Sequence, residues 1–288
     1  MIGLRIGGVP EHFNLPWRLA LEARRFEALG VDVRWQDYPG GSGAMASALR
    51  DGELDAALLL TEGAVAAVAG GVALQIASLF TDSPLVWGIH VPAASRFEAV
   101  ADIAGARYAI SRPGSGSHLM AFVHARAQDW PVERMTFVPV GNLDGAVAAF
   151  AAGKADVFFW EKFMTKPLVD AGAFRRVAEL TAPWPAFVVC AANGVDSERR
   201  AALERVVATV LDEARALRAK PNAAQLIAAR YDLTPADVAE WLRTTRWSAR
   251  VGVEESDVEP ACSALGSLGV LARAVTAAEC IGRSSLGA

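Results

Sequence analysis

The sequence predicts an α/β protein of two lobes, each a mainly parallel sheet flanked by helices, followed by a helical C-terminal tail. Three observations carry that prediction. Apolar runs of strand length alternate with helix-length amphipathic segments up to about residue 192, and strands separated by helices imply right-handed βαβ units. One unit occurs twice, 101 residues apart: Ala48-Leu49-Arg50-Asp51-Gly52-Glu53-Leu54-Asp55 and Ala149-Phe150-Ala151-Ala152-Gly153-Lys154-Ala155-Asp156. Each copy runs from a helix through a capping glycine and an Asp into a buried strand. From Asp196 onward the pattern is helical.

Residues 4–9 read as the first strand and 13–29 as an amphipathic helix closed by Gly30, a natural left-handed cap. Residues 31–38 alternate apolar and polar side chains, as a half-buried strand does. Pro39-Gly40-Gly41-Ser42-Gly43 is a turn, 44–50 a helix ending at Gly52, and 54–60 a continuous apolar run typical of a strand buried on both faces. A helix over 63–69, a break at Gly70-Gly71 and a strand over 72–80 follow. The pattern then repeats: strand 107–111, turn 112–117, helix 118–128, strand 135–140, helix 143–152, strand 155–160 and a short helix 163–170. The tail holds a long charged helix over 196–219, further helices over 221–230 and 235–243, and a segment from Glu254. The extended stretches 84–91 and 185–192 read as links, which places lobe one at 1–88 plus 192–288 and lobe two at 89–191.

Composition narrows the function. The 288 residues are 53% hydrophobic and 21% charged, enough apolar material for a large core. The net charge of −4 and the absence of a basic run argue against nucleic acid as a partner. Only Lys154, Lys162, Lys166 and Lys220 are lysines, so no Schiff-base lysine exists in the first half. Cys190, Cys262 and Cys280 lack disulfide or zinc spacing, and no histidine cluster suggests a metal. Residues 63–81 carry no charge, but their Gly70-Gly71 break, Gln75 and Ser78 favour a helix and a strand over a membrane span. Met1 runs directly into strand-like sequence rather than a secretory leader. The expectation is a cytoplasmic protein if Met1 is the native start, and a periplasmic one if a leader has been removed.

Ligands of open parallel sheets sit beyond the carboxyl ends of the strands, so the segments following each strand are the candidate site. The first is Gly8-Val9-Pro10-Glu11-His12-Phe13-Asn14-Leu15-Pro16-Trp17, which holds a carboxylate, an imidazole, an amide and an indole. Gly8, Pro10, Glu11, His12 and Asn14 are its candidate contacts, although Asn14 could equally cap a helix and Trp17 belong to the core. Two Gly/Ser loops open helices, one in each lobe: Pro39, Gly40, Gly41 and Ser42, and Gly114, Ser115, Gly116, Ser117 and His118. Free N–H groups at a helix start favour an anion, glycines admit it to the backbone and serines add hydroxyl donors; a tight turn with a Ser N-cap is the plainer reading. Neither loop is a phosphate loop, a dinucleotide fingerprint or a nucleophile elbow, since Leu119 and Ala44 break the latter two patterns. Thr61, Asn142, Trp160 and Glu161 end later strands; Trp160 could wall a ring and Glu161 accept a ligand N–H, while Asn142 and Glu161 could instead be helix caps. His90 and His124 read as structural.

These residues carry a family resemblance. Tyr38-Pro39-Gly40-Gly41-Ser42-Gly43, Gly52-Glu53-Leu54-Asp55 and Gly114-Ser115-Gly116-Ser117-His118 resemble the type II periplasmic-binding-protein fold over about residues 3–245. Within it the chain is similar to the group holding sulfonate/taurine-type ABC transporter binding proteins and the thiamine-pyrimidine synthases. Its opening, Gly7 through Trp17, resembles a leaderless branch without a settled ligand. The resemblance implies a two-lobed clamp closing on a small molecule held by the 8–14 loop, 39–42, Thr61, 114–118, 141–142 and 160–161. The chain departs from the pyrimidine synthases, which use an active-site lysine and a cysteine-rich motif, and from transporter members, which carry an export leader.

The functional expectation is therefore a binding protein without chemistry or cofactor, taking a small organic anion or a planar heterocycle with an acidic group. Trp160 with Trp17 or Phe163 would hold the apolar part. An ABC permease is a partner only if the chain is exported. The alternative is a cytosolic enzyme of cofactor or vitamin biosynthesis, with Glu11, His12, His118 and Glu161 as its acid–base groups.

Overall fold

The computed structural model describes residues 1–282. Its strands are β1 (Ile2–Gly8), β2 (Val31–Asp37), β3 (Ala56–Leu60), β4 (Leu74–Pro92), β5 (Arg107–Ile110), β6 (Thr136–Pro139), β7 (Val157–Glu161) and β8 (Phe174–Ala192). Its helices are α1 (Leu15–Glu22), α2 (Gly41–Arg50), α3 (Thr61–Ala69), α4 (Gly116–Ala127), α5 (Leu143–Ala151), α6 (Lys166–Asp170), α7 (Ser197–Ala219), α8 (Ala223–Tyr231), α9 (Pro235–Thr244), α10 (Glu255–Ser267) and α11 (Ala277–Ile281). The strands form one eight-stranded sheet in the order β2-β1-β3-β8-β4-β7-β5-β6.

Two parallel triplets, β2-β1-β3 and β7-β5-β6, lie at the two ends of this sheet. Between them β4 and β8, each 19 residues long, run antiparallel from Leu74↔Ala192 to Pro92↔Phe174. The stretches expected as links are thus the second halves of two long strands. Their ladder shifts register around Pro84↔Pro185, where proline removes the N–H groups that a continuous ladder needs. Leu60 at the end of β3 pairs with Phe187, and Glu161 at the end of β7 pairs with Trp87. Both parallel triplets therefore aim their carboxyl ends at the proline crossing, from opposite sides.

The helix expected over 13–29 is broken. After α1, Arg24 adopts φ +53°, with Arg25 N–H bonded to the Ala20 carbonyl and Arg24 N–H to that of Leu21. This is a Schellman turn, and it buries Phe26 against Trp17. Gly30 keeps the expected left-handed cap after a short turn over 27–29. The tail is helical as expected: α7 packs on α1 and β1, while α10 and α11 pack on α3 and the long strands. None of the helices among the described residues is long and apolar enough to cross a membrane.

Candidate functional site

The proline crossing floors a cleft of about 180 Å³. An apolar cavity of roughly 150 Å³ holds a benzene-sized guest, so the space suits a single ring or a short chain. Leu60, Leu85, Trp87, Trp160, Met164 and Phe187 supply its apolar walls. Trp160 is held by stacking on Phe158, 5.0 Å between ring centres.

Of the expected contacts, Pro10, Glu11, Pro39, Gly40, Gly41, Ser42, Ser115, Gly116, Ser117, Asn142, Trp160 and Glu161 line this one cleft. The two Gly/Ser helix starts thus face the same space. Neither α2 nor α4 has a side-chain cap on its first turn, which leaves the N–H groups there open to a ligand. The serine oxygens already accept hydrogen bonds within the protein, while the Ser42 O–H has no acceptor among the described residues. Ser42 Oγ accepts from the Leu60 N–H at 2.9 Å, Ser117 Oγ from the Ser111 N–H at 3.0 Å, and Ser115 and Ser117 pair at 3.1 Å. Asn142 caps α5 through the Gly145 N–H at 2.9 Å.

Six expected contacts stand outside the cleft. His12 is fully buried against Phe13, Trp241 and Tyr231, and neither ring nitrogen has a partner among the described residues. Desolvation drives its pKa down to about 3. His118 turns away from the cleft onto Phe122 and Phe137, its Nδ1 accepting the Gly114 N–H at 3.0 Å. It locks the turn that Gly114 makes at φ +76°. The acid–base set of the enzyme reading therefore loses both imidazoles and retains Glu11 and Glu161. Asn14 donates to the Val9 carbonyl at 2.7 Å and shapes the loop. Thr61 is fully buried and donates to the Pro185 carbonyl at 2.5 Å, tying α3 to the crossing. A Cβ on Gly8 would lie 2.4 Å from Trp35, so this glycine serves close packing. Trp17 and Phe163 are core residues, and Trp87, Leu85 and Phe187 take the wall role expected of them.

The most consequential lining residue outside the expected set is Arg112. Its guanidinium crosses the cleft and donates to the Gly40 carbonyl. It lies so close to α2 that a Cβ on Gly43 would sit 2.1 Å from it. Burial lowers its pKa, and among the described residues it forms no salt bridge. A cation packed on the positive end of a helix is electrostatically unfavourable by itself. The sequence signal was present: Arg112 is the cation inside the Gly/Ser turn that follows β5.

Two carboxyls line the same cleft. Glu161 Oε2 accepts from the Phe163 and Met164 N–H groups at 2.8 and 2.7 Å. Desolvation pushes its pKa up to about 8, with the Glu11 charge adding to the rise. Desolvation likewise raises Glu11 to about 7.

Comparison with known proteins fits this architecture. A family model described as Ca3427-like PBP matches residues 87–180. The Candida albicans CA3427 gene product, described as exhibiting the generic periplasmic binding protein fold, superposes with a TM-score of 0.88 at 22% identity, covering 96% of this chain and 92% of that one. The alkanesulfonate-binding protein SsuA from Xanthomonas axonopodis pv. citri, bound to MOPS, gives 0.82 at 20% identity over 99% of both chains. The aliphatic sulphonate binding protein SsuA from Escherichia coli gives 0.73 at 19% identity over 98% and 97%. No curated protein matches at the level of sequence. With its strand order, its proline crossing and its cleft between two helix-start loops, the chain has the type II periplasmic-binding-protein fold.

Proposed function

We propose that the protein binds a small organic anion between two lobes, 1–88 plus 192–288 and 89–191, without transforming it. The observation that carries this reading is Arg112, a half-buried cation without a carboxylate partner among the described residues, set between the uncapped starts of α2 and α4. A sulfonate, phosphonate or carboxylate placed there takes charge-assisted bonds from the guanidinium and backbone bonds from both helix starts. The aromatic and aliphatic walls hold the rest of the ligand, as small-molecule pockets commonly do. The alkanesulfonate-binding proteins that share the fold support this ligand class. Presentation of the ligand to an ABC permease belongs to this reading for an exported form of the chain.

The test is calorimetric titration with short alkanesulfonates, alkylphosphonates and aromatic carboxylates, followed by mass spectrometry of the recovered ligand. Saturable binding of an unchanged anion, weakened in Arg112→Gln, supports the reading. Binding indifferent to that substitution overturns it, and a chemically altered ligand returns the enzyme reading with Glu11 and Glu161 as its groups.

A further inference from the structure

Nothing in the spacing of the three cysteines indicates a pair, yet the fold brings two of them together. Cys262 on α10 and Cys280 on α11 face each other across the joint between the two helices, with their sulfurs 3.9 Å apart. A disulfide holds its sulfurs at about 2.05 Å, so the remaining closure is about 2 Å, within reach of side-chain rotation. Among the described residues no third cysteine, histidine or carboxylate joins the two in an arrangement that could hold a metal. Cys190 is different: it sits mid-strand in β8, opposite Ala57 and Ile76, and its full burial pushes its thiol up. Within the pair, the hydrogen bond with Cys280 lowers the pKa of Cys262, and the same contact raises that of Cys280. Cys262 is therefore the thiolate-forming partner, and the thiolate is the reactive form of cysteine. Both sulfurs are covered, Cys262 at 4% exposure and Cys280 completely, but the cover is short. α11 has five residues, begins with a Thr276–Glu279 capping box and packs on α10, α3 and β4. Opening so short a helix is a local event rather than a global one, and it uncovers both sulfurs.

We infer that Cys262 and Cys280 form a disulfide modification site, which staples α11 to α10 when the protein meets an oxidising thiol–disulfide pool. This is independent of the anion reading above. With oxidised glutathione as the oxidant, the Cys262 thiolate attacks one of its two sulfurs, forms a mixed disulfide and releases one glutathione thiolate. The Cys280 thiolate then attacks Cys262 Sγ, which closes the protein bond and releases the second glutathione. The two cysteine protons pass through solvent to the departing glutathione thiolates, and the two electrons lost by the protein reduce the glutathione disulfide. A reducing pool runs the exchange backwards and keeps the pair as thiols. The two cysteines are 18 positions apart, so the bond closes a short loop and restricts the unfolded chain. It also joins the two tail helices that pack on α3, the helix whose first residue, Thr61, donates to the Pro185 carbonyl at the proline crossing.

The test uses the full chain, reduced, desalted and incubated overnight with oxidised glutathione at pH 8. Intact mass, non-reducing peptide mapping and thermal unfolding are then read. The native protein should lose about 2 Da, the two thiol hydrogens, and map one link between Cys262 and Cys280 with Cys190 left as a free thiol. Its Tm should rise by about 5 °C over the reduced form and fall back when dithiothreitol is added. Cys280→Ser should show neither the mass loss nor the rise in Tm. The mass and the map are measured on the native protein, so a variant that fails to fold leaves them decisive. No mass loss, a persistent glutathione adduct, or a link that includes Cys190 or a second copy of the chain overturns the site. The expected link with an unchanged or lowered Tm overturns the staple.

Discussion

Arg112 and Gly43 occupy nearly the same space: the guanidinium rests where a Cβ on Gly43 would be, 2.1 Å from that position. Glycine in the first turn of a helix is intrinsically unfavourable relative to alanine, by about 1 kcal/mol. Here the missing side chain lets a cation from the loop after β5 lie along the start of α2 and reach the Gly40 carbonyl. Local helix stability has been given up at the point where the two halves of the sheet meet.

That relationship predicts a split between stability and binding. In Gly43→Ala the α2 start gains helix propensity, by up to about 1 kcal/mol. The displaced guanidinium, being the end of a flexible chain, moves aside at little cost. Thermal unfolding should therefore be unchanged or raised, while anion affinity falls. Arg112→Gln should cost about tenfold to a hundredfold in affinity, the value of a charge-assisted hydrogen bond of roughly 1.5–3 kcal/mol. Calorimetry on both variants checks the pair. A Gly43→Ala protein of lower stability and undiminished affinity contradicts the account.

Gly116 offers a steric test from the other helix start. A Cβ there would lie 2.7 Å from Leu60 and 2.8 Å from Trp87, both of them cleft walls. Gly116→Ala should push these walls into the cleft and reduce its volume. Ring-bearing anions should lose affinity by about tenfold or more, and short aliphatic anions less, in titrations against the native protein. Equal losses for both classes would mean that these two walls do not define the ligand's space.

His12 predicts acid sensitivity. The folded protein keeps it neutral down to about pH 3, whereas the unfolded chain takes up a proton near pH 6.5. Between those values the unfolded state binds more protons, so this residue's contribution to stability is intact above pH 6.5 and declines as the pH falls. Phe is compatible with the surrounding Phe13, Trp241 and Tyr231 rings. His12→Phe should therefore gain on the native protein by about 2 kcal/mol between pH 7 and pH 5. Urea unfolding at the two pH values measures the difference; a constant offset would place the proton elsewhere.

The duplicated unit was legible because both copies carry the same helix–Gly–Asp–strand order, although the ion pair that each Asp closes spans 50 and 49 residues. Asp55 accepts the Arg5 backbone N–H at 2.8 Å and its guanidinium at 2.8 and 3.0 Å, and Asp156 holds Arg107 through the same three donors at 2.8–2.9 Å. The preceding glycines, Gly52 and Gly153, both take positive φ. What could not be read was orientation. His12 and Glu11 are adjacent in sequence, yet only Glu11 reaches the cleft, because α8 and α9, some 220–230 residues later, supply the aromatic rings that cover His12. The first half of β4 is legible as a strand over 72–80, whereas the first half of β8 is obscured for a different reason: residues 175–181 are at most partly buried, which weakens their alternation, and Pro185 interrupts the pattern. Arg112 was visible as the cation of the Gly/Ser turn after β5, but nothing local reveals that its flexible side chain will be held across a cleft by a carbonyl 72 residues away.

Glu62 carries a pH dependence opposite to that of His12, at the proline crossing. It is 1% exposed; Oε2 accepts the Trp184 Nε1–H at 2.8 Å and Oε1 has no partner among the described residues. Desolvation raises its pKa to about 7, opposed in part by the Trp184 hydrogen bond. The folded state thus holds a proton that the unfolded chain releases near pH 4.5, and this contribution is fully present below pH 4.5 and lost as the pH rises through 7. Glutamine in the neutral form's shape keeps an acceptor for Trp184 and removes the titration. Glu62→Gln should match the native protein's stability near pH 5 and exceed it at pH 8 by on the order of 2 kcal/mol. Because Trp184 lies beside Pro185, opposite Pro84, its fluorescence should also shift between pH 5 and 8 in the native protein, against a constant contribution in the variant. If both proteins show the same stability profile, Glu62 is ionised in the fold throughout that range, and the charge must be balanced by groups other than Trp184.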